Sequence, residues 1–190
     1  MNHFFAYINR MRFIQRWALM RNSYSENIQE HSHQVAVLAH ALAVLRNEYF
    51  GGQVDAGQVA AAALYHDAAE ILTGDMPTPI KYYNPDIRDA YKAVEQVAEA
   101  KLLSMLPEEL RPTYEDALHP ADPEIAELVK AADKLSAHIK CLEELKAGNN
   151  EFRQAAAQTA AAMDEMQLPE LTYFRETFLP SFQLTLDELE

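Results

Sequence analysis

The sequence predicts an all-α bundle of about six or more helices, and three observations predict it. Apolar residues recur at helical spacing along most of the chain, only 5 Gly among 190 residues are available for turns, and no stretch reads as a β-hairpin or a βαβ unit. A chain of this length fits one domain, 1–190, and can bury a continuous core.

Phe4, Phe5, Ile8, Met11 and Ile14 follow helical spacing and predict a first amphipathic helix ending near Trp17. After the polar stretch RNSYSEN, Asn27 reads as an N-cap with Glu30 three residues on. Val35, Leu38, Leu42 and Leu45 then carry a second helix to Gly51-Gly52, with His31 in its opening turns. Asp55 caps a third helix, rich in Ala, predicted to run through His66 and Asp67 and to stop near Gly74. In the loop GDMPTP, Pro77 and Pro79 stiffen an extended backbone suited to presenting groups to a ligand. Asn84-Pro85 opens a fourth helix that ends before Pro107. Asp122-Pro123-Glu124 opens a fifth, through Asp133, Ile139 and Leu145 to Gly148. Residues 151–166 form a sixth. Pro169 and Pro180 bracket a short last helix, and an acidic surface tail occupies about 181–190.

The formal charge of −13 repels polyphosphate and anionic membranes, so neither a nucleic acid polymer nor a membrane surface is an expected partner. A small phosphorylated ligand stays open, because a local cation outweighs the distant field within a Debye length of roughly 8 Å. The single cysteine, Cys141, excludes an intramolecular disulfide framework and a thiolate-rich zinc module, and reads as a small buried hydrophobe. The start, MNHFFAYINRMRF, is interrupted by Asn9 and Arg10 before a signal-peptide core could form. The longest apolar stretch, Val59 to Tyr65, is far shorter than the ~18 residues of a transmembrane helix. The expected location is the cytoplasm.

His66 and Asp67 are adjacent on the predicted helix, about 100° apart around its axis, so both can reach an ion lying between their directions. Alone, the dipeptide reads equally as two polar residues on a helix. His31 near the start of the preceding helix and Asp133 in the apolar run VKAADKLSAHI strengthen the case, because a buried carboxylate needs a cation or several donors. The alternative for Asp133 is an ion pair with Lys130 or Lys134. Two imidazoles and two carboxylates suit one divalent ion, Mn, Fe, Co, Ni or Zn, better than Mg, and leave positions open for water and substrate. An open position is what a hydrolase requires. Glu70, four residues after His66 and three after Asp67, sits one turn away and suits a general acid or base; otherwise it is a plain solvent-facing Glu.

The series ENIQEHSHQVA, ALYHDAAE, LTGDMPTPIKY and AADKLSAHIKCLEELKAGNNEF resembles the HD-domain superfamily, and within it the bacterial 5′-deoxynucleotidase family. The similarity runs from HFFAYINRM to PSFQLTLDE; Arg111 to Ala121 does not align. The resemblance implies an HD-domain bundle in which His31, His66, Asp67 and Asp133 bind the metal and Glu70 is the catalytic Glu. It implies that Arg16 and Trp17 contact the substrate phosphate and that Asp75, Met76, Pro77 and Thr78 contact the nucleotide, with His31, Asp67 and Asp133 also facing substrate. Independently, Arg16 offers a planar donor fork that fits phosphate oxygens and Trp17 a rigid wall, although a lone Trp serves equally as a core or interface anchor. Asp75 could accept a hydrogen bond from a sugar hydroxyl or merely stabilise its own turn. His33, His40, His119 and His138 read as structural or exposed, and Lys81 as a surface lysine.

The resulting expectation is metal-dependent hydrolysis of deoxyribonucleoside 5′-monophosphates to deoxynucleoside and phosphate, by a homodimer as the resemblance implies. The rivals are another HD-type phosphohydrolase or phosphodiesterase using the same ion, and a non-catalytic helical nucleotide-binding regulator.

Overall fold

The computed structural model describes residues 2–81 and 83–189; Met1, Tyr82 and the last residue of the expected tail, Glu190, lie outside them. The helices run in the order α1 Phe4–Ile8, α2 Ile28–Phe50, α3 Ala56–Tyr65, α4 Glu70–Thr73, α5 Thr78–Lys81, α6 Pro85–Leu103, α7 Arg111–Leu118, α8 Pro123–Lys146, α9 Arg153–Met166 and α10 Pro169–Thr177. Among the described residues the β-type pairing is one isolated bridge, Gln15 to Asn27. The all-α prediction holds.

Side-chain caps start the longer helices where the sequence places them. Asn27 Oδ1 accepts the Gln29 and Glu30 N–H groups, both at 3.0 Å, while Glu30 returns to the Asn27 N–H, a reciprocal box whose cap is worth about 1 kcal/mol. Asp55, Asn84 and Asp122 cap α3, α6 and α8 by accepting first-turn backbone N–H groups, without a return bond among the described residues. Gly51, at φ +74°, ends α2 in the left-handed conformation that a side chain disfavours.

Helices α2, α3, α8 and α10 close around Val35, Leu42, Val59, Ala63, Leu128, Leu135, Ile139 and Leu171, all fully buried. A second cluster joins Phe4 of α1 to Ala68, Leu102, Leu106 and Leu118. A third joins Cys141, Phe152 and Ala156, with Trp17 and Met20 packed on it. No helix among the described residues is long and apolar enough to cross a membrane.

Three expectations are corrected. The first helix does not reach Trp17: α1 stops at Ile8, a 3-10 turn covers Met11–Phe13, and the chain then runs extended beside the start of α2. Arg16 N–H donates to Glu26 O at 2.9 Å and Ile28 N–H to Ile14 O at 3.0 Å, and this pairing outcompetes a short helix that is marginal by itself. The third helix ends at Tyr65, and His66 to Ala69 form tight turns in which Ala68 N–H donates to Tyr65 O at 2.9 Å and Glu70 N–H to Asp67 O at 3.0 Å. Finally, the GDMPTP loop is not extended throughout, because Thr78–Lys81 form the short helix α5 with Pro79 inside it; the stretch that did not align contains α7, whose Leu118 fills the second cluster.

The acidic end is exposed, as expected, but Lys146 Nζ donates to Leu184 O at 3.0 Å and Thr185 and Glu188 form a capping box.

Candidate functional site

Three segments bring the predicted cluster together: the first turn of α2 (His31), the turns after α3 (His66, Asp67) and the middle of α8 (Asp133). One ligand atom from each of His31, His66 and Asp133 lies within 4.8 Å of the other two. His31 Nε2 is 3.2 Å from Asp133 Oδ1 and 3.5 Å from Asp67 Oδ2, and His66 Nε2 is 3.2 Å from Asp67 Oδ2. Both Nε2 atoms are nonetheless buried without a hydrogen-bond partner. A buried polar atom left in this state is costly, and three ligand atoms from His31, His66 and Asp133 within reach of one another, with Asp67 Oδ2 beside both rings, form an arrangement that a divalent cation satisfies.

The far side of each ring is fixed. His66 Nδ1–H donates to Ala63 O at 2.7 Å. His31 Nδ1 faces Ser136 Oγ at 3.2 Å, and that hydroxyl in turn donates to Gln34 Oε1 at 2.7 Å, so the hydroxyl accepts from His31 and the imidazole proton sits on Nδ1. In the neutral form of each ring the Nε2 lone pair therefore points into the cluster, the orientation metal-ligating histidines take from such outer partners. Ser136 and Gln34 escaped the sequence reading although a signal existed: each lies three residues beyond a candidate ligand, Asp133 and His31, on the same helix face.

Electrostatics divide the group. Burial, then the Arg16 charge, lowers the His31 pKa and keeps the ring neutral. Burial also works against the His66 imidazolium, but Asp67 and Asp133 outweigh it and the pKa rises. Burial alone would raise Asp67 and Asp133; the two histidines, with Arg16 beside Asp67 and Lys134 beside Asp133, hold both below the usual carboxylate range. Asp133 thus makes the lysine pair that had been its alternative, Oδ2 to Lys134 Nζ at 3.1 Å, while Oδ1 still faces His31.

Glu70 is buried, not solvent-facing, and its Oε2 has no hydrogen-bond partner. Burial, then the Asp67 and Asp75 charges, pushes its pKa up to about 9, so near neutral pH its carboxyl carries a proton.

Arg16 spans the site. Nη1 donates to Asp67 Oδ2 at 3.1 Å and Nε to Glu26 Oε2 at 3.1 Å, which engages two of the five guanidinium N–H donors. Trp17 donates Nε1–H to the same Glu26 oxygen at 2.9 Å and packs on Phe152, ring centroids 5.3 Å apart. The indole therefore lies partly in a core cluster and, through the shared Glu26 oxygen, beside Arg16. Its φ of +60° is rare for a bulky residue and costs roughly 1–3 kcal/mol, strain of the kind retained at functional sites. Burial raises the Asp75 pKa, against the Arg16 charge and the nearby Trp17 backbone N–H, so this carboxyl lies in the electrostatic field of the site. Gly74, at φ +74° and ψ 160°, turns the chain from α4 into this loop, a conformation open essentially to Gly. Met76 and Pro77 are half-buried and Thr78 exposed, and none of the three makes a side-chain hydrogen bond or ion pair among the described residues.

The histidines outside the cluster behave as expected. His33 and His40 are exposed, His119 pairs with Glu99, and His138 Nδ1 meets Thr159 Oγ1 at 2.8 Å. Lys81 is not a plain surface lysine: its Nζ donates to Glu95 Oε1 at 2.8 Å and lies 4.8 Å from the Tyr91 ring centroid.

Solved structures share the architecture. An HD-domain phosphohydrolase from Listeria innocua superposes with a TM-score of 0.82 at 22% identity, over 95% of this chain and 88% of that one. The cyanophage S-2L HD phosphohydrolase DatZ, solved with dA and one catalytic Zn²⁺, superposes with a TM-score of 0.68 at 22% identity, over 93% and 96%. At such identity the likeness speaks for the fold. Sequence relatives stand nearer: a 5′-deoxynucleotidase of Vibrio cholerae serotype O1 is 53% identical over 99% of this chain and 98% of its own length, and the 5′-deoxynucleotidase YfbR of Escherichia coli is 51% identical over 99% and 96%. The family model described as 5′-deoxynucleotidase YfbR-like matches residues 3–182, and with a match of that extent this chain belongs to the YfbR-like 5′-deoxynucleotidase family.

Proposed function

We propose that this chain is a divalent-metal-dependent phosphomonoesterase that hydrolyses deoxyribonucleoside 5′-monophosphates to deoxynucleoside and phosphate. One observation carries the site assignment: two buried histidine Nε2 atoms, each with its proton directed to the opposite nitrogen, face Asp133 and Asp67 without hydrogen-bond partners. His31, His66, Asp67 and Asp133 would hold the ion. The donor set favours Mn, Fe, Co, Ni or Zn over Mg. When bound, such an ion supplies Lewis-acid polarisation of the phosphoryl group and a water nucleophile at neutral pH.

The protein's own side chains do the rest. Arg16, with donors left beyond those given to Glu26 and Asp67, binds phosphate oxygens through its fork, and Trp17 walls the phosphate. Glu70, buried one turn after Asp67 with an unpartnered Oε2, is placed to pass a proton between the attacking water and the departing sugar oxygen. The family resemblance supports contact of the nucleotide with Asp75, Met76, Pro77 and Thr78 and a preference for deoxyribose. It alone supports a homodimer and a cytoplasmic location.

The test is metal-stripped protein resupplied separately with Mn, Co, Zn and Mg and offered ribo- and deoxyribonucleoside monophosphates, triphosphates and cyclic nucleotides. Phosphate release confined to deoxyribonucleoside monophosphates, restored by the transition metals, is expected. Release only from triphosphates or cyclic nucleotides, or nucleotide binding with no release, would overturn the reading.

A further inference from the structure

We infer that Glu26 is a positioning residue for phosphate binding, acting through Arg16 and Trp17; the inference rests on the phosphohydrolase reading above. Nothing in the local sequence marks Glu26, which only precedes the Asn27 cap. In the fold it is buried, and its Oε2 accepts from two side chains, Arg16 Nε at 3.1 Å and Trp17 Nε1 at 2.9 Å. Its backbone carbonyl accepts the Arg16 N–H at 2.9 Å, and the bridge between Gln15 and Asn27 flanks that bond. One residue thus grips both proposed phosphate contacts, Arg16 through main chain and side chain together.

Arg16 stands among four carboxylates, Asp67, Asp133, Glu26 and Asp75. Asp67 and Asp133 belong to the cluster proposed to hold the ion, and a guanidinium free to turn would settle on them. The Nε bond to Glu26 opposes the Nη1 bond to Asp67 and sets the plane of the fork, so its remaining donors are preorganised for phosphate oxygens. The same Glu26 oxygen helps hold Trp17 in its left-handed backbone conformation. A carboxylate suits this role because it accepts only; a Gln amide turned the wrong way would oppose one N–H donor with another.

A purely structural staple between residues 14–17 and 26–28 would use the same bonds, so the experiment must separate the two. The full chain carrying Glu26→Gln is loaded with Mn²⁺ and titrated with inorganic phosphate, binding being read from the fluorescence of Trp17, the only Trp. Mn²⁺ affinity is measured in parallel, and both titrations are repeated in an Arg16→Ala background. Phosphate affinity is expected to fall roughly tenfold, the scale of a lost hydrogen bond to a charged group, with Mn²⁺ affinity within about threefold. In the Arg16→Ala background Glu26→Gln should add little further loss. No loss of phosphate affinity, an equal loss of Mn²⁺ affinity, or a fully additive loss on Arg16→Ala overturns the inference. Should Glu26→Gln fail to fold, Glu26→Asp, which keeps the charge but is one methylene too short to bring an oxygen to both donors, is judged by the same criteria. Wild-type protein that binds phosphate but hydrolyses no deoxyribonucleotide would sink the proposed function and leave the Glu26 comparison standing; wild-type protein that binds no phosphate would sink both.

Discussion

Helix α8 carries two buried polar clusters about two turns apart, and they are built in opposite ways. Around Lys140 and Glu144 every partner is supplied by the protein. The two side chains pair with each other; Lys140 Nζ also donates to Tyr24 O at 2.8 Å, and Glu144 accepts the Ser23 N–H at 2.9 Å and Asn149 Nδ2 at 2.8 Å. Burial would raise the Glu144 pKa, but these donors hold it down at about 2. Around Asp133, by contrast, His31 and His66 leave Nε2 atoms unsatisfied and the buried Glu70 leaves an oxygen. A closed cluster stabilises the fold by itself, here fastening residues 23–24 to α8. An open one is a standing cost unless something outside the chain completes it, and that difference separates scaffold from site on a single helix.

The comparison can be broken from either side. The largest effect should come from Glu144→Ala, which strands the Lys140 ammonium: about 3–5 kcal/mol of stability lost in urea unfolding of the metal-free protein. Asp133→Asn should do the reverse, leaving metal-free stability within about 1 kcal/mol while cutting phosphate release more than about 100-fold in a steady-state assay. Equal loss of stability in both variants would erase the distinction. A smaller effect is expected of Ser136→Ala, which frees the His31 ring: roughly tenfold weaker Mn²⁺ or Co²⁺ binding by calorimetry, with the unfolding midpoint little changed.

Last comes a slope, small over any one pH unit. The folded Glu70 pKa lies above its ordinary value, so the native state holds an extra proton between about pH 4.5 and 9 and stability falls as pH rises through that window. Glu70→Gln should flatten this fall in metal-free protein by at most about 1.4 kcal/mol per pH unit, and an unchanged slope would mean that the carboxyl is ionised throughout.

Much of this was legible in one dimension. Asn27, Asp55, Asn84-Pro85 and Asp122-Pro123 cap helices wherever they occur, because the bonds involved close within three residues, and all four mark real starts. The cluster His31, His66, Asp67 and Asp133 was readable because a costly residue in an apolar run already demands a partner. The end of the first helix was not, since the pairing of residues 14–16 with 26–28 that overrides it is a contact between segments. Nor was the break after Tyr65, or α7.

By itself the sequence determined the helical class, the helix starts and the identity of the side chains that must find one another, all consequences of short-range hydrogen bonding and of the cost of burying charge. Only the tertiary structure decided that Glu26 would meet Arg16 and Trp17, that Ser136 would orient His31, and that the Lys140 cluster would close while the Asp133 cluster stayed open. Those outcomes depend on which groups share a buried volume, and neighbours across helices are set by packing rather than by spacing along the chain.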